Sequence, residues 1–183
     1  MPGPSGGVCG RVIDTDPLIV SLGFDAATFE RFDGLRRAHF PPALNRIPAH
    51  LTLFHHLPGD RPDEVRAALA EAAGSVCSFA LEVSALRKLG RGVALTLTSP
   101  ELIAIRAGTA ARFADVLTPQ DRQGFRPHVT IQNKVDPKDA TALYDRLAAD
   151  FTSWTATAEA LLLWRYRGGP WEAAGRFEFA RIG

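Results

Sequence analysis

Three of the chain's five histidines fall in one ten-residue stretch, IPAHLTLFHH, from Ile47 to His56. Histidine changes charge near neutral pH, so such a cluster can hold a metal or move protons. The metal set would be His50, His55 and His56. Its geometry is poor, because a strand position and two adjacent residues at the strand end do not converge three ring nitrogens on a zinc at about 2.0–2.1 Å. No acidic residue follows until Asp60, and in an unbroken strand His55 points away from His50. No metal is expected, and His55 and His56 are expected at the rim of a cleft. His39 closes a helix, where an imidazolium suits the dipole; no function is assigned to it.

The proton reading needs a second histidine, and PHVTIQN, from Pro127, supplies it. HLTLF and HVTIQ both run His, aliphatic, Thr, aliphatic, with the histidines at 50 and 128, 78 residues apart. Side chains alternate across a strand. Leu51 and Leu53 therefore oppose His50, Thr52 and Phe54, while Val129 and Ile131 oppose His128, Thr130 and Gln132. The aliphatic faces suit packing on helices. If the other faces meet across a cleft, two imidazoles and two hydroxyls enclose one polar volume. A neutral imidazole there takes a proton, a protonated one gives a proton to a leaving oxygen, and threonine hydroxyls donate to phosphate oxygens. This is equipment for in-line phosphoryl transfer with no metal and no covalent intermediate. One strand histidine alone would read as an ordinary core residue, and threonine favours strands anyway; the argument is the matched pair.

Three further residues are candidates for substrate contact. Phe54 could stack on a base and Gln132 could read a base edge or a hydroxyl. In LLLWRYRGG, alternation separates Leu162, Trp164 and Tyr166 from Arg165 and Arg167. If the bulky face meets the helices, Arg165 reaches the cleft and can contact phosphate. Arg126 precedes a proline and is expected outside its strand.

The elements that must place these residues follow from periodicity and punctuation. PLIVSLGFD reads as a strand and AATFERFDGLRRAHF as a helix stopped by Pro41 and Pro42. AHLTLF is a strand, RPDEVRAALAEAAG a helix, SFALEVSALRKL a long strand and VALTLT another. The order then restarts: helix from Pro100, strand PHVTIQN, helix DPKDATALYDRLAAD with Asp136 placed to cap it, strand TATAEALLLWRY, turn RGGPWEAAG, strand RFEFARI. VALTLT closes one unit and opens the next. A unit stated twice predicts an α+β bilobal, duplicated fold: two antiparallel sheets facing a central cleft, helices outside, pseudo-twofold symmetry. Residues 1–16, rich in Gly, Pro and Ser, are expected as a flexible tail, and 17–183 as a single bilobal domain.

The signature residues, HLT at His50–Thr52 and PHVT at Pro127–Thr130, resemble the paired His-x-Thr motif of the 2H phosphoesterase superfamily. The branch they resemble is the 2′-5′ RNA ligase-like one, which includes RNA 2′,3′-cyclic phosphodiesterases. The resemblance spans roughly Pro17 to Ile182. It implies His50 and His128 as the acid–base pair, Thr52 and Thr130 as phosphate holders, no cofactor, and opening of 2′,3′-cyclic phosphates to 2′-phosphates. In the reverse direction it implies 2′-5′ joining. The implied partners are RNA termini or cyclic nucleotides. A formal net charge of +1 speaks against a long RNA and leaves small cyclic nucleotides open. Two scattered cysteines fit a reducing cytoplasm, no apolar run suits a membrane span, and a monomer is expected. The rival readings are a non-catalytic binding module for nucleotides or RNA ends, and a phosphodiesterase for a cyclic-phosphate metabolite.

Overall fold

The computed structural model describes residues 15–180. Most of the tail expected over residues 1–16, and the last residues of the strand expected at the C-terminus, lie outside them. Asp16, the end of that tail, is ion-paired with Arg167 at 3.1 Å.

Among the described residues seven strands and five α-helices follow one another: β1 Leu18–Phe24, α1 Ala26–His39, β2 Thr52–Leu57, α2 Pro62–Gly74, β3 Phe79–Lys88, β4 Val93–Thr98, α3 Pro100–Arg112, α4 Pro119–Arg122, β5 His128–Gln132, α5 Pro137–Ala149, β6 Trp154–Arg165 and β7 Glu172–Glu178. Local signals set the helix starts. The Asp25 carboxylate and the Ser99 hydroxyl accept N–H bonds from the first turns of α1 and α3, and α2, α3 and α5 each open on proline. Asp136 stands at the N-cap of α5 but makes no side-chain capping bond. The short α4 and the start of β7, inside the stretch read as a turn, were not expected.

All neighbouring strands pair antiparallel, in the order β2-β1-β6-β3-β4-β5, with β7 also on β6. The two expected sheets are thus halves of one ladder, joined through β6. The C-terminal part of β6 pairs with β1 and β7, and its N-terminal part pairs with β3. The duplication is visible in the register. Val20 faces Phe54 and Ser21 faces Thr52; in the other half Val93 faces Gln132 and Ala94 faces Thr130. Each ladder skips one residue at the same place, Leu53 or Ile131. The halves meet where Leu81 pairs with Ala156, both fully buried.

Helices cover one side: α2 contacts β6 and β7, and α5 contacts β3 and β4. Between helices and sheet lies one core that includes Val20, Leu22, Phe32, Leu69, Leu81, Leu97, Val129 and Leu161. Among the described residues no helix is long and apolar enough to cross a membrane.

Two glycines of different surroundings test this packing. A Cβ on Gly92 would lie 1.9 Å from the Gln132 carbonyl oxygen, whereas one on Gly108, inside α3, would meet nothing within 4 Å. Gly92→Ala should cost about 1–3 kcal/mol by overpacking, while Gly108→Ala should gain about 0.5–1 kcal/mol of helix stability. Urea denaturation of both variants checks the contrast.

Candidate active site

His50 precedes β2 and His128 begins β5. Their rings are held in the same way. His50 Nδ1 lies 2.8 Å from the Pro48 carbonyl oxygen, and His128 Nδ1 lies 2.8 Å from the Arg126 carbonyl oxygen. A carbonyl only accepts, so each Nδ1 carries the hydrogen and each Nε2 is left for chemistry. Burial is the main cause that pushes the His50 pKa down to about 4, against a smaller raising effect of the Pro48 bond. The charges of Arg36, His128 and His55 lower it further, so the two signature rings are near enough for each charge to oppose the other. At neutral pH His50 is therefore neutral, with a free acceptor nitrogen.

Along β5, His128 and Thr130 are partly exposed while Val129 and Ile131 are buried, as alternation requires. Thr52 is partly exposed on β2 and lines one cavity with His128. That cavity, about 390 Å³, is also lined by His55, Arg87, Arg106, Asp121 and Arg126. His50 opens instead on a neighbouring cavity of about 520 Å³, lined by Ser21, Arg46, Leu162, Trp164 and Trp171 among others. Cavities of about 450 and 680 Å³ elsewhere contain none of the four signature residues.

Three expected contact residues are corrected. The skipped residue Leu53 is a β-bulge, which reverses the alternation after Thr52. Phe54 is consequently 0% exposed, in the core beneath the Arg106 guanidinium, and cannot stack on a base. The matching bulge at Ile131 buries Gln132, which is 8% exposed, with no partner for its Oε1. Arg165 pairs with core residue Leu18, so it shares the face of Leu161 and Leu163, which pack in the core. The face toward the His50 cavity carries Leu162 and Trp164. The Leu161–Leu163 run left both assignments open in sequence.

His55, expected at the rim of a cleft, lines the cavity that holds Thr52 and His128. Its ring Nδ1 is 3.3 Å from Asp121 Oδ1, and the backbone N–H groups of His55 and His56 donate to the Asp121 carboxylate at 2.9 Å each. Burial alone would raise the Asp121 pKa. The His55 ring and these N–H groups outweigh it and hold the carboxyl below its usual value. Among the described residues no group of three or more His, Cys, Asp or Glu is arranged to hold a metal.

Sequence reasoning also missed two buried arginines. Arg36, in α1, donates to the Thr130 carbonyl at 2.8 Å and to the Ile47 carbonyl at 3.0 Å. Arg106, in α3, donates to the Leu53 carbonyl at 2.8 Å and to the Asp121 carbonyl. Each half thus grips the backbone of the other half's signature strand. Trp171, in the segment read as a turn, lies over His50 with ring centroids 4.7 Å apart. Trp164 Nε1 donates to Ser21 Oγ at 2.8 Å. His39, read as an imidazolium at a helix end, has its pKa lowered by burial and by Arg146.

The family profile described as the 2′-5′ RNA ligase superfamily matches residues 24–170. The chain belongs to that superfamily. Among solved structures, this superfamily member is similar to Escherichia coli LigT complexed with 3′-AMP, at 17% identity and a TM-score of 0.59, over 92% of this chain and 100% of that one. It is also similar to TT0787 of Thermus thermophilus, at 14% identity and a TM-score of 0.66, over 91% and 100%. A structure described as a phosphoesterase matches at 20% identity and a TM-score of 0.57, over 92% and 100%. These likenesses establish the fold. No curated protein matches the chain in sequence.

The His50 environment sets a pH dependence of stability. In an unfolded chain the imidazole titrates near 6.5; in the folded one it titrates at about 4. Between these values the unfolded state binds more protons, so this contribution is present above pH 6.5 and is lost as pH falls toward 4. Urea midpoints measured from pH 7 to 4 should fall less steeply in His50→Asn than in wild type.

Proposed function

We propose that the chain is a phosphodiesterase that opens 2′,3′-cyclic phosphates, on RNA ends or small cyclic nucleotides, to 2′-phosphates without a metal or cofactor. The observation that carries this reading is the matched pair of Nδ1–carbonyl bonds, which leaves Nε2 of both His50 and His128 for proton transfer. Membership of the superfamily supports a phosphoesterase or ligase activity. LigT has been solved with 3′-AMP and with ATP, which supports a nucleotide ligand. A cytoplasmic monomer completes the reading.

The near-symmetry of the two motifs is broken by environment. His50, held neutral by burial, is the base: its Nε2 takes a proton from water as the oxygen attacks phosphorus. The P–O3′ bond breaks, and His128, as the imidazolium, gives its Nε2 proton to O3′. Thr52 and Thr130 donate their hydroxyl hydrogens to the non-bridging phosphate oxygens. His50 then loses its proton to solvent and His128 regains one. Trp171, over the His50 ring, excludes water from one side of it and so helps keep it neutral.

One observation favours a second use of the same chemistry. The cavity at His50, about 520 Å³ with Trp164 and Trp171 in its wall, has the room of a small-ligand site. A nucleoside 5′-hydroxyl placed there in the position of water would give 2′-5′ ligation.

Hydrolysis of nucleoside 2′,3′-cyclic phosphates in EDTA tests the reading. His50→Ala and His128→Ala should each lower kcat/KM by about 10²–10⁴-fold. Thr52→Val with Thr130→Val should lower it by about 10-fold or more, the effect of lost charge-assisted hydrogen bonds. The product should be the 2′-phosphate. Loss of wild-type activity in EDTA would restore a metal, and ligand binding without turnover would make the chain a binding module.

A further inference from the structure

The two cavities flanking the signature residues occupy related places in the repeat, yet their linings have diverged. Pairing of Leu81 with Ala156 sets the correspondence of β3 and β6, so Arg87 of β3 stands where Leu162 stands on β6. Leu162 lines the cavity at His50 and Arg87 lines the one at His128. The first is lined mainly by apolar and aromatic groups, Trp164 and Trp171 among them, and Arg176 in its lining is paired with Glu159 and Glu178. The second is cationic, with Arg87, Arg126 and His55.

Nothing in the cavity uses that positive charge. The guanidinium groups of Arg87 and Arg126 have no ion-pair or hydrogen-bond partner among the described residues. The one carboxylate in the lining, Asp121, is spent: its side chain is 2% exposed and it accepts the N–H groups of His55 and His56 as well as facing His55 Nδ1. Asp121 instead orients the His55 ring, leaving Nε2 as its outward donor when protonated. Arg106 is committed to the Leu53 and Asp121 carbonyls. Two unpaired guanidinium groups lining one cavity repel each other, and a dianion relieves that repulsion. Guanidinium groups suit phosphate in particular.

We propose that His55, Arg87 and Arg126 form a second phosphate subsite, one nucleotide away from the reacting phosphate. The inference rests on the function proposed above. If His128 protonates O3′, the ribose that carries the cyclic phosphate lies on the His128 side of the cleft. The next anionic group of that nucleotide is its 5′-phosphate, and the cationic cavity shares its lining with His128. The preferred substrate is therefore a cyclic phosphate whose own nucleotide is 5′-phosphorylated, as at the 3′ end of an RNA strand. A near-neutral chain reads that anion through a local patch.

Calorimetric titration with adenosine 2′-phosphate and adenosine 2′,5′-bisphosphate reads the subsite without turnover. Wild type should bind the bisphosphate about tenfold tighter or more, the effect of charge-assisted hydrogen bonds. In Arg87→Gln the preference should shrink, and in Arg87→Gln combined with His55→Gln it should fall to about twofold or less. Equal affinity of wild type for the two ligands would overturn the subsite. So would a preference that survives both substitutions in a variant of unchanged melting temperature. Turnover of adenosine 2′,3′-cyclic phosphate with and without a 5′-phosphate separates the two ideas. Equal kcat/KM sinks the subsite and leaves the reaction standing. No turnover of either, with the binding preference intact, sinks the reaction and leaves the subsite.

Discussion

The strand that follows His50 and the strand that begins at His128, β2 and β5, are the two ends of the ladder, and an edge strand exposes backbone groups with no strand to pair them. Buried charge meets those groups here. Arg36 and Arg106, 5% and 7% exposed, each donate to a carbonyl on the opposite half's edge strand. Burial lowers the pKa of both, and a nearby aspartate opposes it, Asp33 for Arg36 and Asp121 for Arg106. Those carboxylates grip backbone in turn. Asp33 accepts from the Ala49 N–H at 2.9 Å, immediately before His50, and Asp121 accepts from His55 and His56. Arg36 and Arg106 thus hold the Thr130 and Leu53 carbonyls of β5 and β2, while Asp33 and Asp121 hold backbone N–H groups at Ala49, His55 and His56. A ring held by its own chain's carbonyl two residues back is placed only as well as that backbone is.

Much of this architecture could be read from the chain. Proline and capping residues marked the helices, alternation marked the strands, and the repeat of His-x-Thr in matching contexts pointed to a duplicated fold with a shared polar face. What could not be read has a common physical origin. A bulge adds one residue without changing composition, so alternation was extrapolated through Leu53 and Ile131 and misplaced Phe54 and Gln132. The run Leu161–Leu163 has no polar member to show which face is wet. Arg36, Arg106 and Asp121 act on backbone atoms far away in sequence, and such bonds leave no periodic trace. Trp171 sits in a Gly-Gly-Pro-Trp turn whose residues announce a chain reversal but not what the reversal covers.

Duplication gives two equal histidines, and chemistry that passes a proton in on one side and out on the other needs them unequal. The inequality here comes from the surroundings and not from the motifs. His50 lies under Trp171, and burial favours its neutral form. His128 opens on a cavity with Arg87 and Arg126. Both differences arise at positions outside the signature, on β3, β6 and the β6–β7 turn. The signature residues are alike in the two halves, and the strands behind them make their surroundings unlike.

The exchange of long strands between halves has a consequence for the chain as a heritable object. β3, built by the first half, pairs only with strands of the second, and β6, built by the second, pairs with β1 of the first. Neither half is an autonomous folding unit. A fragment ending after β3 would hold one two-stranded pair and a stranded partner, too little sheet to stand alone. Two copies of such a fragment could satisfy one another's open edges by mutual exchange, the geometry of a swapped homodimer. In the present chain the β3–β4 turn connects the two units covalently. Equivalent positions of the two units can therefore carry different residues within one chain, as Arg87 and Leu162 do.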